Sequence, residues 1–388
     1  MADVIITTLS NTGDFKLFSA FQPILTFCDE AGKAVEADFW ALLIRYPYSR
    51  GVILVGDGRQ LSPLTKAQQN NCFDSVIRQS LFTRLEENGF ETVSLATQHR
   101  FNSQINALVS SCFYRNSLAA HVSCDAREEQ RRVRAFNLKR FEKDSAVIFI
   151  DAQAGMADRL GSSSSRHNPI NLVVVMDLVE HLLRAGFEPR AIGIICPYQA
   201  QYALYGKAIG RLQHRYAGLP LGELLRSKFD TFQGGERSII VADLVVDGTP
   251  GFLTQPNRLN VALSRARDGL YIVGNIGAYE RSRAPRKSAL MKFVTHCKIN
   301  GYDVTDSRDD FGEYDGVLSA ALDAERSPAG PGSDDGSDEE AMLGGEVDRG
   351  DVGEKVAADD GDEPGGLEVG HADRPISGWT YEAEDVAW

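Results

Sequence analysis

The sequence predicts an α/β protein: two tandem, doubly wound parallel sheets, then a disordered acidic tail. Three observations predict it. Short β-branched runs alternate with helical stretches, twice over, along residues 3–276, the pattern of parallel strands joined by crossover helices. The runs at 238–246 (SIIVADLVV) and 269–273 (GLYIV) are apolar almost throughout, as in strands buried on both faces. From about Thr305 to Ser377, Gly, Asp, Glu, Ser and Pro dominate, and such a stretch cannot bury enough apolar surface to offset about 1–2 kcal/mol per residue of backbone ordering.

Taken in order, strands are expected at residues 3–8 (DVIITT), 24–28, 51–55 (GVILV) and 92–95, with helices over 31–43 and 103–113. Residues 121–145 read as a connector rich in Arg and Lys but also carrying acids. The second series of strands begins at 147–150, passes a serine-run loop at 162–165 and a helix over 171–185 stopped by Gly186, and reaches a strand at 192–196. The stretch 229–275 holds two features at its strand ends. Gln233-Gly234-Gly235-Glu236 is a turn in which glycine allows close backbone approach to a ligand, and 260–267 is a helical segment carrying Arg265 and Arg267 near its end. Together they define a candidate anion site or, on the plainer reading, a tight turn beside two solvated arginines.

Polar groups also cluster at the exits of the early strands: Asp29-Glu30, then Gly56-Asp57 through Gln60, then Gln98-His99-Arg100. A carboxylate pair at a strand exit is either the polar first turn of a helix or a place to hold Mg²⁺ and orient an attacking water. Three such exits converge on one edge if the strands are parallel, which favours a phosphate site.

Charge divides the chain. Residues 301–388 carry 26 acidic and 5 basic side chains, a net of −21 against −13 for the whole chain, which leaves +8 on residues 1–300. A basic body suits a polyanion; the acidic tail either screens that body or offers a surface to a protein partner. Six cysteines without a CxxC pair argue for a reduced, intracellular protein. The first residues lack the charged start and long apolar core of a signal peptide, and the apolar run at 172–183 is broken by Asp177, Glu180 and His181. The expectation is a soluble cytoplasmic or nuclear protein with no membrane span.

The ordered series resembles the carboxy-terminal two-thirds of an Upf-like superfamily-one helicase motor. ILTFCDEAGKAVE resembles its motif II, VILVGDGRQLSP motif III and LATQHRFNSQINALVSSCFY motif IV. AIGIICPYQAQ, DTFQGGERSIIVADLV and RLNVALSRARDGLYIVGN resemble motifs IVa, V and VI. The resemblance implies two RecA-like sheets of the P-loop NTPase type. The first, incomplete, spans 1–120 and the second 121–304; the tail spans 305–388. It implies ATP and Mg²⁺ as cofactors, with Asp29 on the metal and Glu30 as the general base. Gln60 would sense the γ-phosphate, Arg100 and Arg265 would neutralise charge on the transferred phosphoryl group, Glu236 would bond the ribose, and Gly234 would permit the close turn. Thr7, Thr8, Pro197, Tyr198 and Thr231 would grip the backbone of single-stranded RNA or DNA.

Lys33, Gly58, Ser62, His99 and Phe101 are mild departures from the family pattern. A larger one is that no GxxxxGK[ST] occurs in the 388 residues, so a strand of the first sheet is expected to be missing and its neighbours' edges left unpaired. The implied function is an ATP-dependent helicase or translocase on single-stranded nucleic acid. The alternatives are a truncated or degenerate helicase-like module that binds nucleic acid without ATPase activity, and a regulatory protein working through its tail.

Overall fold

The computed structural model describes residues 3–63, 72–159, 165–232, 234–245, 255–282 and 288–314, with Leu253, Gly316 and Val317. The serine run at 162–164, Gln233, the end of the run at 238–246 and the tail from 318 onward lie outside these residues. Residues 1–344 make up one contact unit; the other, 345–388, is wholly outside the described residues.

The first stretch contains α1 (Phe15–Ala20), β1 (Leu25–Cys28), α2 (Glu36–Arg45), β2 (Gly51–Leu54), α3 (Asp74–Ile77), α4 (Leu81–Glu87), β3 (Thr97–Gln98), α5 (Ser103–Phe113) and β4 (Ala119–Ala120). Then come α6 (Glu128–Phe141), β5 (Val147–Ala152), β6 (Asp158–Arg159), β7 (Arg166–His167), α7 (Pro169–Arg184), β8 (Ile192–Cys196), α8 (Gln199–Arg215) and β9 (Leu225–Lys228). The described chain ends with β10 (Arg237–Asp243), α9 (Pro256–Leu263), β11 (Ala266–Gly274), α10 (Ile276–Arg281), α11 (Ala289–Ile299) and β12 (Asp303–Asp306).

Six strands form one parallel sheet in the order β12-β5-β11-β10-β8-β9. The apolar runs make its centre: Ile194, Ile195, Ile239, Ile240, Val241, Tyr271 and Ile272 are all fully buried. Each large apolar side chain so buried stabilises the fold by about 1.5–3 kcal/mol relative to exposure. Helix α7 packs against β5, β10 and β11. Twelve of its sixteen residues are buried, as expected of a helix apolar on most of its circumference. Asn168 caps it by accepting from the Asn171 amide, Pro169 opens it, and Gly186 at φ 84° follows its end.

The first stretch is built differently. Strands β1 and β2 pair in parallel but form a sheet of only two strands, in keeping with the incomplete first sheet expected from the sequence. Among the described residues, nineteen of the twenty-three exposed large apolar side chains fall within residues 4–95, among them Ile6, Phe27, Val93 and Leu95.

Several expected elements shift. Residues 3–8 have strand composition but no ladder; Val4 and Ile6 face solvent, because no described strand runs alongside to satisfy the backbone. The expected strand at 92–95 is likewise unpaired, and the ladder forms at β3, where β4 comes alongside. The helix expected over 31–43 starts only at Glu36. Residues 31–34 are held as a turn by Lys33 N–H to Glu30 O and by Ala31 N–H to Val55 O at 2.8 Å. The helix expected over 260–267 is α9, opened by Pro256 and ended at Leu263, so Arg265 sits in the turn before β11 and Arg267 within β11. The connector at 121–145 contains the fourteen-residue α6, ended by Glu142 in a left-handed conformation. Residues 305–317, expected in the tail, are instead built into the fold as far as they are described: β12 pairs with β5 through Asp306, and both Tyr314 and Val317 are buried. Strands β9 and β12 themselves escape the periodicity, because LRSK and DVTD are too polar to signal burial.

Candidate functional site

The carboxyl ends of β1 and β2 and the amino ends of β10 and β11 meet at one place. At the exit of β1, Asp29 accepts from the Glu30 amide at 2.9 Å, and Glu30 itself has φ 52°, a conformation non-glycine residues rarely adopt. Gly56, after β2, lies so close to Ala31 and Gly32 that an added Cβ would come within 2.9 Å of the Gly32 nitrogen. Glycine there lets the two strand-exit loops touch.

Gln60 is reached from both directions. Its Nε2 donates to Asp57 Oδ2 at 3.2 Å, and its Oε1 accepts from Arg265 Nη2 at 2.5 Å. Arg265 is among the largest fully buried side chains, 1% exposed, and its Nε donates to Val261 O at 3.1 Å. Burial, then the nearby Arg100 charge, push its pKa down to about 10, against the pull of Glu30. A buried guanidinium bonded to neutral oxygens, with a second cation beside it, is a place where an anion is favoured.

Arg100 is set by a compact loop. The Gln98 side chain accepts from the Arg100 and Phe101 amides and donates to Phe101 O, while Arg127 donates to Arg100 O at 2.7 Å. From there Arg100 Nε donates to Glu236 Oε2 at 3.0 Å, with Arg267 3.6 Å from the other carboxylate oxygen. Gly234, two residues earlier, has φ 81°. Gln60–Arg265 and Arg100–Glu236 are thus two bonded pairs, with the charges of Arg100 and Glu30 both acting on Arg265.

The expected nucleic-acid residues lie elsewhere. Pro197 and Tyr198 follow β8 and Thr231 follows β9, at the carboxyl edge of the large sheet. That is opposite to the amino edge of β10 and β11, and the seven residues of β10 span roughly 20 Å between the two. Thr231 is exposed and its hydroxyl lies 3.0 Å from Ser227 Oγ. The Tyr198 ring is buried, 2% exposed, so it has no face to offer a base. Thr7 and Thr8 are exposed on unpaired backbone, and Thr8 O accepts from the Asn11 amide.

Residue patterning missed the parts that tie the site together. Asn257 Nδ2 donates to Gln60 O at 2.6 Å, and Asn260 Nδ2 donates to Arg59 O and to the Tyr114 hydroxyl, both at 2.9 Å. The Tyr114 hydroxyl donates to Asp57 Oδ2 at 2.5 Å. The available signal was the pair of asparagines three apart on a short helix, one shared face of α9.

Two comparisons relate the chain to known proteins. Residues 77–277, more than half the chain, match a family profile described as an AAA domain, and residues 1–68 match a second profile of the same description. The chain is therefore an AAA-domain protein. It is 32% identical over 282 residues to the ATP-dependent helicase NAM7 of Saccharomyces cerevisiae, covering 71% of this chain and 27% of that protein. It is 32% identical to the Drosophila melanogaster regulator of nonsense transcripts 1 homolog, covering 71% and 22%. The DNA polymerase alpha-associated DNA helicase A of S. cerevisiae is 27% identical, with 72% and 43% covered. Within the AAA-domain class, the chain belongs to the Upf-like group of superfamily-one helicases, and it spans about a quarter of the length of the first two relatives. No described helix is long and apolar enough to cross a membrane, and the six cysteines are free thiols.

Proposed function

We propose that residues 1–120 and 121–304 act as two RecA-like lobes of an ATP-dependent translocase or helicase on single-stranded RNA or DNA. The observation that carries this reading is the buried Arg265 guanidinium, bonded to Gln60 across the two sheets and flanked by Arg100. The side chains fit the outer phosphate of a nucleotide. Arg265 and Arg100 supply positive charge, Gln60 supplies an amide, and Glu236 and Gly234 flank the position assigned to the ribose. Asp29 is the carboxylate at the strand exit assigned to Mg²⁺, an ion that commonly keeps several waters and needs few protein ligands. Among the described residues no cluster of three or more His, Cys, Asp or Glu could hold a metal by itself. When bound, ATP and Mg²⁺ supply the phosphoryl group and the charge that offsets it. This chain's contribution is Glu30 to orient and deprotonate water, and the arginines to stabilise developing charge. Such finger arginines contribute on the order of 10³–10⁵ in rate. The opposite edge, at Pro197 and the exposed Thr231, with the buried Tyr198 behind them, is assigned to the backbone of a single strand, a grip that weakens with salt.

A second reading, a nucleic-acid-binding module without turnover, is favoured by the two-stranded sheet that carries Asp29 and Glu30 among the described residues. One experiment separates the two. Purified chain is assayed for ATP hydrolysis with and without single-stranded RNA and DNA, beside Glu30→Gln. The motor reading expects strand-stimulated turnover that Glu30→Gln abolishes. Turnover no higher than that of the variant, with single-strand binding retained, selects the second reading.

A further inference from the structure

The loop 57–60 is held from two helices that come from distant parts of the chain. Helix α9 reaches it at Gln60 O through Asn257 and at Arg59 O through Asn260. Beyond the helix end, Arg265 reaches the Gln60 amide oxygen. At the end of α5, the Tyr114 hydroxyl stands where these meet. It accepts from Asn260 Nδ2 at 2.9 Å and donates to Asp57 Oδ2 at 2.5 Å. Asp57 in turn accepts from the Arg59 amide at 2.9 Å and from Gln60 Nε2 at 3.2 Å. That last bond sets the Gln60 amide: its nitrogen faces the carboxylate, so its oxygen faces Arg265.

We propose that Tyr114 is a positioning residue that, through Asp57, fixes the orientation of Gln60 and thereby the placement of the Arg265 guanidinium. The assignment of Gln60 and Arg265 to phosphate chemistry rests on the proposed function, but the coupling among the four side chains does not. Three features support a role beyond packing. The hydroxyl is used as donor and acceptor at once, each time to a residue of a different element. Asn260, fully buried, spends its amide nitrogen on Tyr114 and on the loop backbone. The Arg59 guanidinium lies 5.5 Å from the centre of the Tyr114 ring, so the ring is held from the loop side as well. Removing the hydroxyl leaves ring packing and the Arg59 contact in place but takes away the bond that holds the Asp57 carboxylate, so the acceptor that orients the Gln60 amide is no longer fixed in position.

The test uses the full chain, ¹⁵N-labelled at arginine, with the Arg265 Nε–Hε resonance assigned by its loss in Arg265→Lys. Tyr114→Phe is expected to shift and broaden that resonance and to speed its solvent exchange by about tenfold or more. Asp57→Asn, which approaches from the other side of the same bond, should shift it in the same direction. In a Gln60→Ala background Tyr114→Phe should add nothing, the non-additivity of residues acting through one another. An unchanged Arg265 resonance in folded Tyr114→Phe and Asp57→Asn, or a full additional shift in the Gln60→Ala background, overturns the proposal and leaves Tyr114 a packing residue. ATP turnover is read on the same samples. If wild type hydrolyses ATP, Tyr114→Phe should lower kcat about tenfold at unchanged KM, the mark of an interaction made in the transition state. A wild type without turnover counts against the proposed function, and the resonance still decides the role of Tyr114.

Discussion

Asp243 ends β10 at the carboxyl edge of the large sheet and is wholly buried. It accepts from Asn171 Nδ2 at 2.7 Å, Gln201 Nε2 at 2.8 Å, the Tyr205 hydroxyl at 2.6 Å and the Val245 amide at 2.8 Å. Val245 has φ 62°, a strained conformation for a β-branched residue, held by that bond and by Asn168 Nδ2 to Val245 O at 2.9 Å. Burial raises the Asp243 pKa to about 6, the four hydrogen bonds opposing it. The folded value lies above the ordinary unfolded value of about 3.9, so the fold favours the protonated form. Its contribution is fully present below about pH 4 and is lost as pH rises to about 6, a swing on the order of 3 kcal/mol. Asp243→Asn does not titrate. Urea unfolding of both proteins from pH 4 to pH 7 should therefore show the variant gaining on wild type by about that amount as pH rises. A gap that stays constant with pH would return the folded pKa of Asp243 to the ordinary carboxylate range.

At the scale of elements, the two parallel sheets differ in what surrounds them. Every residue of β8 is buried, and β10 and β11 each have a strand on both sides, whereas β1 alternates exposed and half-buried residues and pairs only with β2. An isolated pair of strands is marginal in water. Amides of β8, β10 and β11 should exchange with solvent only through global unfolding, while those of β1 and β2 exchange through local opening, about a thousandfold or more faster. Hydrogen–deuterium exchange read by mass spectrometry checks this, and equal protection in the two sheets would refute it. The same contrast explains what the sequence could disclose. The large sheet was legible because doubly buried strands write continuous apolar runs such as IGIIC and SIIVAD. Residues 3–8 and 92–95 carry the same kind of composition, yet a strand exists only beside a partner, and partnership is not encoded locally. At the site, Gln60, Arg100, Arg265 and Glu236 stand out in the sequence as polar residues next to strand ends in a familiar order, and the structure bonds Gln60 to Arg265 and Arg100 to Glu236. Tyr114 and Asn260 do not stand out. Their contact joins positions 146 residues apart, and a single polar residue at a helix end looks the same in sequence whether it bonds water or a buried partner.

Over the whole molecule the charge separates at the point where the described structure stops. Residues 318–388 hold 20 acidic and 4 basic side chains, a net of −16, so the −13 of the whole chain becomes +3 for residues 1–317. The structural boundary matters for any truncation. A cut at 305 would remove half of β12 together with Tyr314 and Val317, which belong to the core. A cut after Val317 removes acidic charge while leaving the described fold whole. Tethered acidic residues act on a nucleic-acid edge as a local competitor for cations, an effect that falls as salt screens it within about 10 Å at 0.1 M. Removing residues 318–388 should therefore tighten binding of a single-stranded oligonucleotide at low ionic strength and steepen the fall of affinity with salt, because more counterions are released per strand bound. The two proteins should converge in affinity above about 0.5 M salt, where the Debye length is only a few ångströms. Fluorescence anisotropy with a labelled oligonucleotide across a salt series measures both slopes. Equal affinities at every salt concentration would mean that the acidic stretch does not act on the strand-binding edge and would direct attention to a basic protein as its partner.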